Sequence, residues 1–335
     1  MAMNAFHGVD VNKELKIKGK KGYGVSVAVA RGGSIETYCS GSGRFGEDFP
    51  VRPEMIFQAA SVSKPMFALT LLRYVDKGMI DLDADISGVV NEFCKKPLTF
   101  SSLLSHTAGY SVHGFIGYRA DAPQLSLEDV IAGRGNSPKV CRIKPYGKQF
   151  RYSGGGYTLA ELAFTRIVGK TLREAFQKEV AEPLGLTRTG YFQPLDEDLV
   201  PGAAFGGRLR DRRNEDHAHG YHYYPEHAAA GLWTTPSELT KIGVALSRSL
   251  REGGLLKQET VRRMVTPVME DRGLGVVVYS HLPDIAGHSG WNEGFLADWR
   301  FSLKEERSVA CMINRANYPT CLTLRRVADT LILKP

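Results

Sequence analysis

The sequence predicts an α+β protein: an antiparallel, five-stranded-type sheet flanked by helices, with an inserted all-helical region. Three observations carry this. A strand–turn–strand pattern opens the chain between Tyr23 and Ser40, a series of strand-like runs fills its last third, and the middle is helical without strand pairs. Strands at both chain ends with helices between them close most simply into one sheet. The division expected is a sheet domain from residues 1–90 plus 190–335 and a helical insertion at 91–189.

Tyr23 to Ala30 alternates as a strand, Arg31-Gly32-Gly33-Ser34 is a hairpin turn, and Ile35 to Ser40 returns. Gly41 to Pro53 is a Gly/Pro-rich loop. A very apolar helix follows from Met66 to Val75, with Pro65 in its first turn, where a missing N–H costs nothing, and Gly78 as its stop. Asp81, Asp83 and Asp85 alternate in a loop that lacks the glycine and glutamate of a calcium site, so they read as turn formers. Ser101 to Gly109 predicts a short helix, and Ser126 to Asp129 a capped helix start. Tyr157 to Val168 predicts a helix stopped by Gly169, and Thr171 to Ala181 another stopped before Pro183. Gly202 to His227 reads as an irregular loop. Its His217, His219 and His222, with His227, lack a fixed carboxylate partner and read as cleft wall rather than metal ligands. Helices are expected from Thr235, with Ser237 near the cap, at Glu259–Met264 and at Thr323–Leu333. Gly273–Tyr279, Ile285–Gly290, Gly294–Leu303 and Ser308–Asn314 are strand-like, three of them consecutive and hairpin-like.

Composition excludes several classes. The 335 residues are 43% hydrophobic and 24% charged with a net charge of +7, ordinary for a globular chain with a large core. Basic clusters at Lys13–Lys21 and Arg208–Arg213 lack interleaved aromatics, which argues for solvated faces and against nucleic acid. Five cysteines without C-x-x-C spacing argue for reduced thiols and against zinc. The first ten residues show no basic-then-apolar leader pattern, and no stretch approaches a membrane span. A cytoplasmic protein without a membrane partner is the expectation; oligomeric state is not readable.

Ser61-Val62-Ser63-Lys64 stands where the apolar helix begins. Residues three apart share a helix face, so Ser61 and Lys64 can meet. A hydroxyl at a buried helix start with a cation one turn on can become a nucleophile. The tetrad alone is common by chance, and Ser61 or Ser63 could simply cap the helix. Two further segments change its weight: Tyr152-Ser153-Gly154 in the helical region and His288-Ser289-Gly290, followed by Trp291, on a late strand.

In this order the three segments resemble the serine β-lactamase-like family on its class C side, the group of class C β-lactamases, DD-peptidases, D-amino-acid amidases and family VIII-type esterases. Phe57 to Pro65, Leu103 to Gly109, Pro183 to Leu186 and Ala230 to Thr235 look like family framework, so the resemblance runs over about residues 20–333. It implies a β-lactamase/transpeptidase-like fold and an enzyme without cofactor or metal, acting on a small-molecule acyl substrate. In those roles Ser61 is the nucleophile, and Lys64 either gives up its proton or holds Tyr152 as a phenolate. Tyr152 is the general base, and His288, where lysine is frequent, supports proton transfer. The backbone N–H groups of Ser61 and Trp291 form the oxyanion hole, with Ser289, Gly290 and Gly154 beside the substrate. His106 belongs to a framework segment and is expected to be structural.

Gly154 departs from the pattern, since class C relatives carry asparagine there to hold an acylamide arm. Losing that hydrogen bond costs about 1–3 kcal/mol for a substrate that has such an arm and nothing for one without it. An esterase on small or medium acyl esters is therefore expected. Acyl transfer, an amidase, β-lactamase or D-aminopeptidase-like activity, and a non-catalytic acyl- or penicillin-binding protein are the alternatives. Trp291 and Tyr221, Tyr223 and Tyr224 would suit an apolar group if they line the cleft.

Overall fold

The computed structural model describes residues 5–207, 209–210, 216–217 and 220–334. Strand β1 (Gly24–Arg31) turns at Gly32-Gly33 into β2 (Ser34–Gly41). The last third supplies β3 (Val277–Val278), β4 (Ile285–Asn292), β5 (Phe295–Ser302) and β6 (Arg307–Ile313). They form one sheet in the order β2-β1-β6-β5-β4-β3. The join between chain ends is antiparallel, with Val25 opposite Ile313 and Arg31 opposite Arg307. The expected sheet from both ends is present, with a sixth, two-residue strand at its edge. Gly273–Tyr279 contributes only Val277 and Val278, because the residues before them turn back through Gly275 onto the helix that carries Lys64.

Side-chain alternation gives the sheet two packed faces. Val25, Val27, Val29, Val309, Cys311 and Ile313 bury against Val11 and Leu15 and against helix residues Leu324, Val327, Ala328 and Leu331. On the other face Ala297, Trp299, Phe301, Ala310 and Met312 join the larger core. There Trp299 Nε1 donates to the Leu239 carbonyl at 3.0 Å.

Helix α1 (Ser63–Asp76) runs through the middle of the larger core, with Phe67, Leu69, Leu71 and Leu72 fully buried. Gly78 takes φ +71 just past its end. In the helical region Ser126 caps Leu127–Ala132 in a reciprocal box with Asp129. Helix α2 (Gly154–Val168) starts three residues before the expected Tyr157, because the Ser153 hydroxyl caps it by accepting from Gly156 N–H at 2.8 Å. The following helix does not stop before Pro183. A wide turn at Gln177–Ala181 absorbs the proline, and Glu182–Leu184 continues. Thr235, not Ser237, caps α3 (Pro236–Glu252), accepting from Glu238 N–H. Helix α4 (Tyr318–Leu333) begins five residues before the expected Thr323, capped by Asn317.

Asp81 and Asp85 accept the N–H groups of Asp83 and Ser87 in their own turns, as expected of turn formers, and Asp85 also accepts from the distant Leu98 N–H. The expected irregular loop contains the short pairs Leu209–Arg210 with Asp216–His217 and His222–Tyr223 with Tyr118–Arg119. His219 and most of the Arg208–Arg213 cluster lie outside the described residues. No described helix is long and apolar enough to cross a membrane, and the five cysteines are free thiols.

Candidate active site

Ser61 lies in a tight turn, Ala60–Val62, immediately before α1. Ala60 holds φ +52 there, a conformation that costs a residue with a Cβ about 1–3 kcal/mol and concentrates at functional positions. The turn is pinned from both sides: Ala59 N–H donates to the Leu232 carbonyl at 2.9 Å, and Ser63 Oγ accepts from Leu232 N–H at 2.9 Å. Ser63 is therefore a buried strut, and Ser61 keeps its side chain at the surface of a cleft.

Lys64, one turn on, is buried to 2% exposure. Its Nζ donates to Ser61 Oγ at 3.0 Å and to the Ala229 carbonyl at 2.8 Å. The Nζ also lies 4.9 Å above the Tyr152 ring and 5.5 Å from that of Tyr157. A side-chain amine so desolvated needs such partners.

Tyr152 sits where the chain enters α2, between imidazoles. His106 stacks on its ring at 4.4 Å between centroids, His113 lies at 4.8 Å and His288 at 6.1 Å. Burial, helped by the Lys64 charge, pushes all three below the usual histidine range, His288 to about 3. Their tautomers can be assigned for two. His288 Nδ1 lies 2.6 Å from the Ser289 carbonyl, which can only accept, so Nδ1 carries the proton and Nε2 is an acceptor. His106 Nδ1 accepts from Ser153 N–H at 3.1 Å, so its proton is on Nε2. His106 thus ties down the entry to α2 through Ser153 N–H and stacks on the Tyr152 ring.

Strand β4 forms the opposite wall. Gly290 presses on the nucleophile turn so closely that a Cβ there would lie 2.2 Å from the Ala59 carbonyl oxygen. Trp291 follows, 44% exposed, with its side chain on the same face of the strand as that of Ser289. Ser289 points to the other face of the strand, where its hydroxyl donates to Asp298 Oδ2 at 2.8 Å. Asp298 in turn pairs with buried Arg300, whose Nε reaches Asp329 of α4 at 3.0 Å. Asn292 secures the end of β4 by donating to Gln58 Oε1 at 2.9 Å and the Ala230 carbonyl at 3.1 Å.

Ser61, Lys64, Tyr152, Gly154 and His288 line one cleft along the Gly290 edge of β4, whereas Ser289, expected beside the substrate, commits its hydroxyl to Asp298 on the far face of the strand. Three sequence segments far apart are therefore brought into one site. The tyrosines of the 221–224 run are not part of it: Tyr223 and Tyr224 are buried, and Tyr221 packs on Trp233 and Phe205. His222 is buried, with Nδ1 on the Ile116 carbonyl at 2.8 Å, and His227 faces Glu161 at 3.3 Å. No group of histidine, cysteine or carboxylate side chains among the described residues is arranged to hold a metal.

Several contributors carried no sequence signal. His113, Phe115 and Ile116 line the cleft from a loop, and Phe150 and Arg272 do so from further loops. Glu161, two turns into α2 and buried to 2%, accepts from Ala228 N–H at 2.8 Å. It thereby fixes the segment whose next carbonyl, that of Ala229, holds Lys64. An acidic residue in an apolar helix was the one available hint.

A hydroxyl 3.0 Å from a buried lysine, facing a tyrosine and flanked by a close strand edge, can attack a carbonyl and shelter the resulting charge. The chain is 26% identical over 177 residues to the lovastatin esterase of Penicillium rubens, covering 46% of this chain and 44% of that protein. It is 25% identical over 257 residues to an acyltransferase, calJ, of Penicillium decumbens, covering 68% and 60%. The chain spans about half the length of these curated relatives. Among solved structures, the octameric penicillin-binding protein homologue from Pyrococcus abyssi superposes with a TM-score of 0.76 at 21% identity, covering 96% of this chain and 75% of that one. The sequence model of the Beta-lactamase family matches residues 15–334, from before the first strand to the end of α4, and with this span the chain belongs to the β-lactamase family.

Proposed function

We propose that this protein is a serine acyl hydrolase that forms an acyl-enzyme at Ser61 and acts on esters of small or medium acyl groups. The observation that carries the reading is the 3.0 Å contact from Lys64 Nζ to Ser61 Oγ at the floor of the cleft, with the Tyr152 ring over the same ammonium. In the acylation step Ser61 Oγ bonds to the ester carbonyl carbon while its proton passes to Tyr152. The oxyanion is met by the N–H groups of Ser61 and Trp291, and collapse breaks the carbon–oxygen bond as Tyr152 returns the proton to the leaving alkoxide. Water then attacks the acyl carbon, gives its proton to the same relay, and Ser61 leaves reprotonated. Lys64 holds the relay's charge, and neutral His288 offers Nε2 as an acceptor beside it.

Ester preference rests on Gly154, which offers no amide to an acylamide arm, and on the exposed apolar side chain of Ile116 at the cleft. Similarity to a protein named as an esterase supports it. Acyl transfer is the second reading, supported by similarity to an acyltransferase over 68% of this chain; it differs only in the nucleophile that removes the acyl group.

Incubation with a p-nitrophenyl ester, a chromogenic cephalosporin and a D-amino-acid amide, read by product release and intact mass, tests the proposal. Release from the ester, a transient acyl adduct on Ser61 and loss of both in Ser61→Ala are expected. Faster turnover of the cephalosporin would overturn the ester preference, and product formed only when an alcohol or amine is added would favour transfer.

A further inference from the structure

The loop from Ser111 to Gly117 is held at both ends. At one end it closes the start of α2: Gly154 N–H donates to the His113 carbonyl at 3.0 Å and Gly155 N–H to that of Val112 at 3.1 Å. The Ser153 hydroxyl donates to the Ser111 carbonyl at 2.6 Å. At the other end the Ile116 carbonyl accepts from the Tyr224 hydroxyl at 3.1 Å and from His222 Nδ1 at 2.8 Å. Within the first clamp Val112 adopts φ +61. For a β-branched residue that is a costly conformation, kept only where the surroundings impose it.

The strained loop delivers Phe115 into the cleft, against Gly154. A Cβ on Gly154 would lie 2.9 Å from Phe115 Cε2 and 3.1 Å from the His113 carbonyl oxygen. The φ of Gly154 is not in the left-handed region, so the backbone there does not require glycine; the occupied space does. Phe115 and Ile116 share the cleft with Ser61, Lys64 and Tyr152.

We infer that Phe115 is the acyl-side specificity determinant: its ring fills the volume beside Gly154 that a 2-acylamino arm would need, so the site takes simple alkanoyl groups and rejects N-acylaminoacyl groups. This rests on the serine acyl hydrolase reading and names its substrate class more narrowly. The ring excludes such an arm twice over. It takes the space, and it gives an amide N–H and C=O no partner, so binding would strip them of water without return. The loss is of the size that separates substrates about ten- to a hundredfold. The clamps matter, because a free loop would swing aside and the discrimination would vanish.

The test uses two esters with one leaving group, p-nitrophenyl propanoate and the p-nitrophenyl ester of N-acetylalanine, which differ only by the 2-acetamido arm. The rate of Ser61 acylation, followed by p-nitrophenol burst and intact mass, is compared in wild type, Phe115→Leu, Phe115→Ala and the double variant Phe115→Ala/Gly154→Asn. Wild type is expected to favour propanoate at least about tenfold. The ratio should fall through Phe115→Leu to Phe115→Ala, and further in the double variant, whose new side-chain amide reaches the vacated space. Melting curves identify folded variants, and the leucine substitution keeps the series readable if the alanine variant fails to fold. A wild-type ratio near one, or a ratio unmoved in folded Phe115→Leu and Phe115→Ala, overturns the inference while leaving the hydrolase reading intact. Absence of an acyl adduct on Ser61 with either ester and with an activated acetate overturns both.

Discussion

Replacing Gly290 by alanine tests the proposed oxyanion site where β4 meets the nucleophile turn. The new Cβ would sit 2.2 Å from the Ala59 carbonyl oxygen and 3.0 Å from the Ala60 Cβ. Real Cβ contacts hardly ever fall below 3.0 Å, so the neighbours must part by about 0.8 Å. Neither can do so freely. The turn is tied through Ala59 N–H to Leu232, and β4 is laced to β5 along its whole length. In the proposed mechanism what opens is the gap between the N–H of Ser61 and that of Trp291, which follow the two touching segments. Displacing one oxyanion donor typically costs about 10²–10³ in kcat, or about 3–4 kcal/mol, whereas overpacking costs about 1–3 kcal/mol in stability. Single-turnover acylation by p-nitrophenyl butyrate should therefore slow at least a hundredfold, with a KM little changed and a melting point lowered by a few degrees. A folded Gly290→Ala protein that acylates within threefold of wild type would refute the reasoning, because the close approach of β4 would then not shape the site.

Three further outcomes follow from the buried groups. His288 is protonated in an unfolded chain below about 6.5 but in the folded protein only near 3, since burial and Lys64 disfavour its cation. Unfolding takes up a proton in that window, so stability falls as the pH drops from 6.5 toward 3. Melts of His288→Gln should show a shallower acid slope than wild type, while its ester turnover falls by about 10²-fold. Glu226 runs the other way, because burial and the neighbouring Glu161 raise its carboxyl to about 8. An unfolded glutamate has already lost its proton near 4.3, so stability declines as the pH rises from about 5 to 8. Glu226→Gln should melt above wild type at pH 8.5 and together with it at pH 5; a constant difference at both pH values would remove this account. Glu161→Ala deletes the acceptor for Ala228 N–H and so loosens the carbonyl that holds Lys64. It should lose about 1–3 kcal/mol in a denaturant titration and slow acylation, while Glu161→Gln, which keeps an acceptor oxygen, should recover most of the acylation rate.

The sheet and the helix behind Ser61 were legible because each rests on short-range chemistry. Val25, Val27 and Val29 alternate regardless of what they pack on, and Pro65 and Gly78 mark a helix start and stop by their backbone limits alone. Boundaries failed where a distant or side-chain partner decided them. Nothing local says that the Ser153 hydroxyl will cap α2 at Gly154, or that a wide turn will carry a helix across Pro183. The same division holds in the site. Ser61 and Lys64 share one helix face, so their meeting follows from spacing, whereas Phe115 and Ala229 reach the cleft only through tertiary clamps. The 221–224 tyrosines show the converse error. An aromatic run suits a ligand surface and a core equally well, and here Tyr224 holds the cleft loop from behind through the Ile116 carbonyl.

Relatives with lysine in the place of His288 would set a second cation beside Tyr152. Here the imidazole is buried to 6% exposure, gains its charge only near pH 3, and has its Nδ1 proton committed to the Ser289 carbonyl. His106, on the other side of the tyrosine, is uncharged for the same reason. In the proposed mechanism Lys64 Nζ, with its contacts to the tyrosine ring and to Ser61 Oγ, is therefore the basic group nearest the proton relay. A lysine could only donate toward the reacting atoms, but His288 Nε2 can accept, which suits the step in which water or an alcohol must lose a proton to attack the acyl group. The histidine thus bears most on deacylation. A His288→Gln protein should still show the p-nitrophenol burst but clear its acyl adduct slowly, so intact mass would find Ser61 acylated in the steady state. Equal slowing of burst and clearance would place the histidine in both steps and remove the distinction.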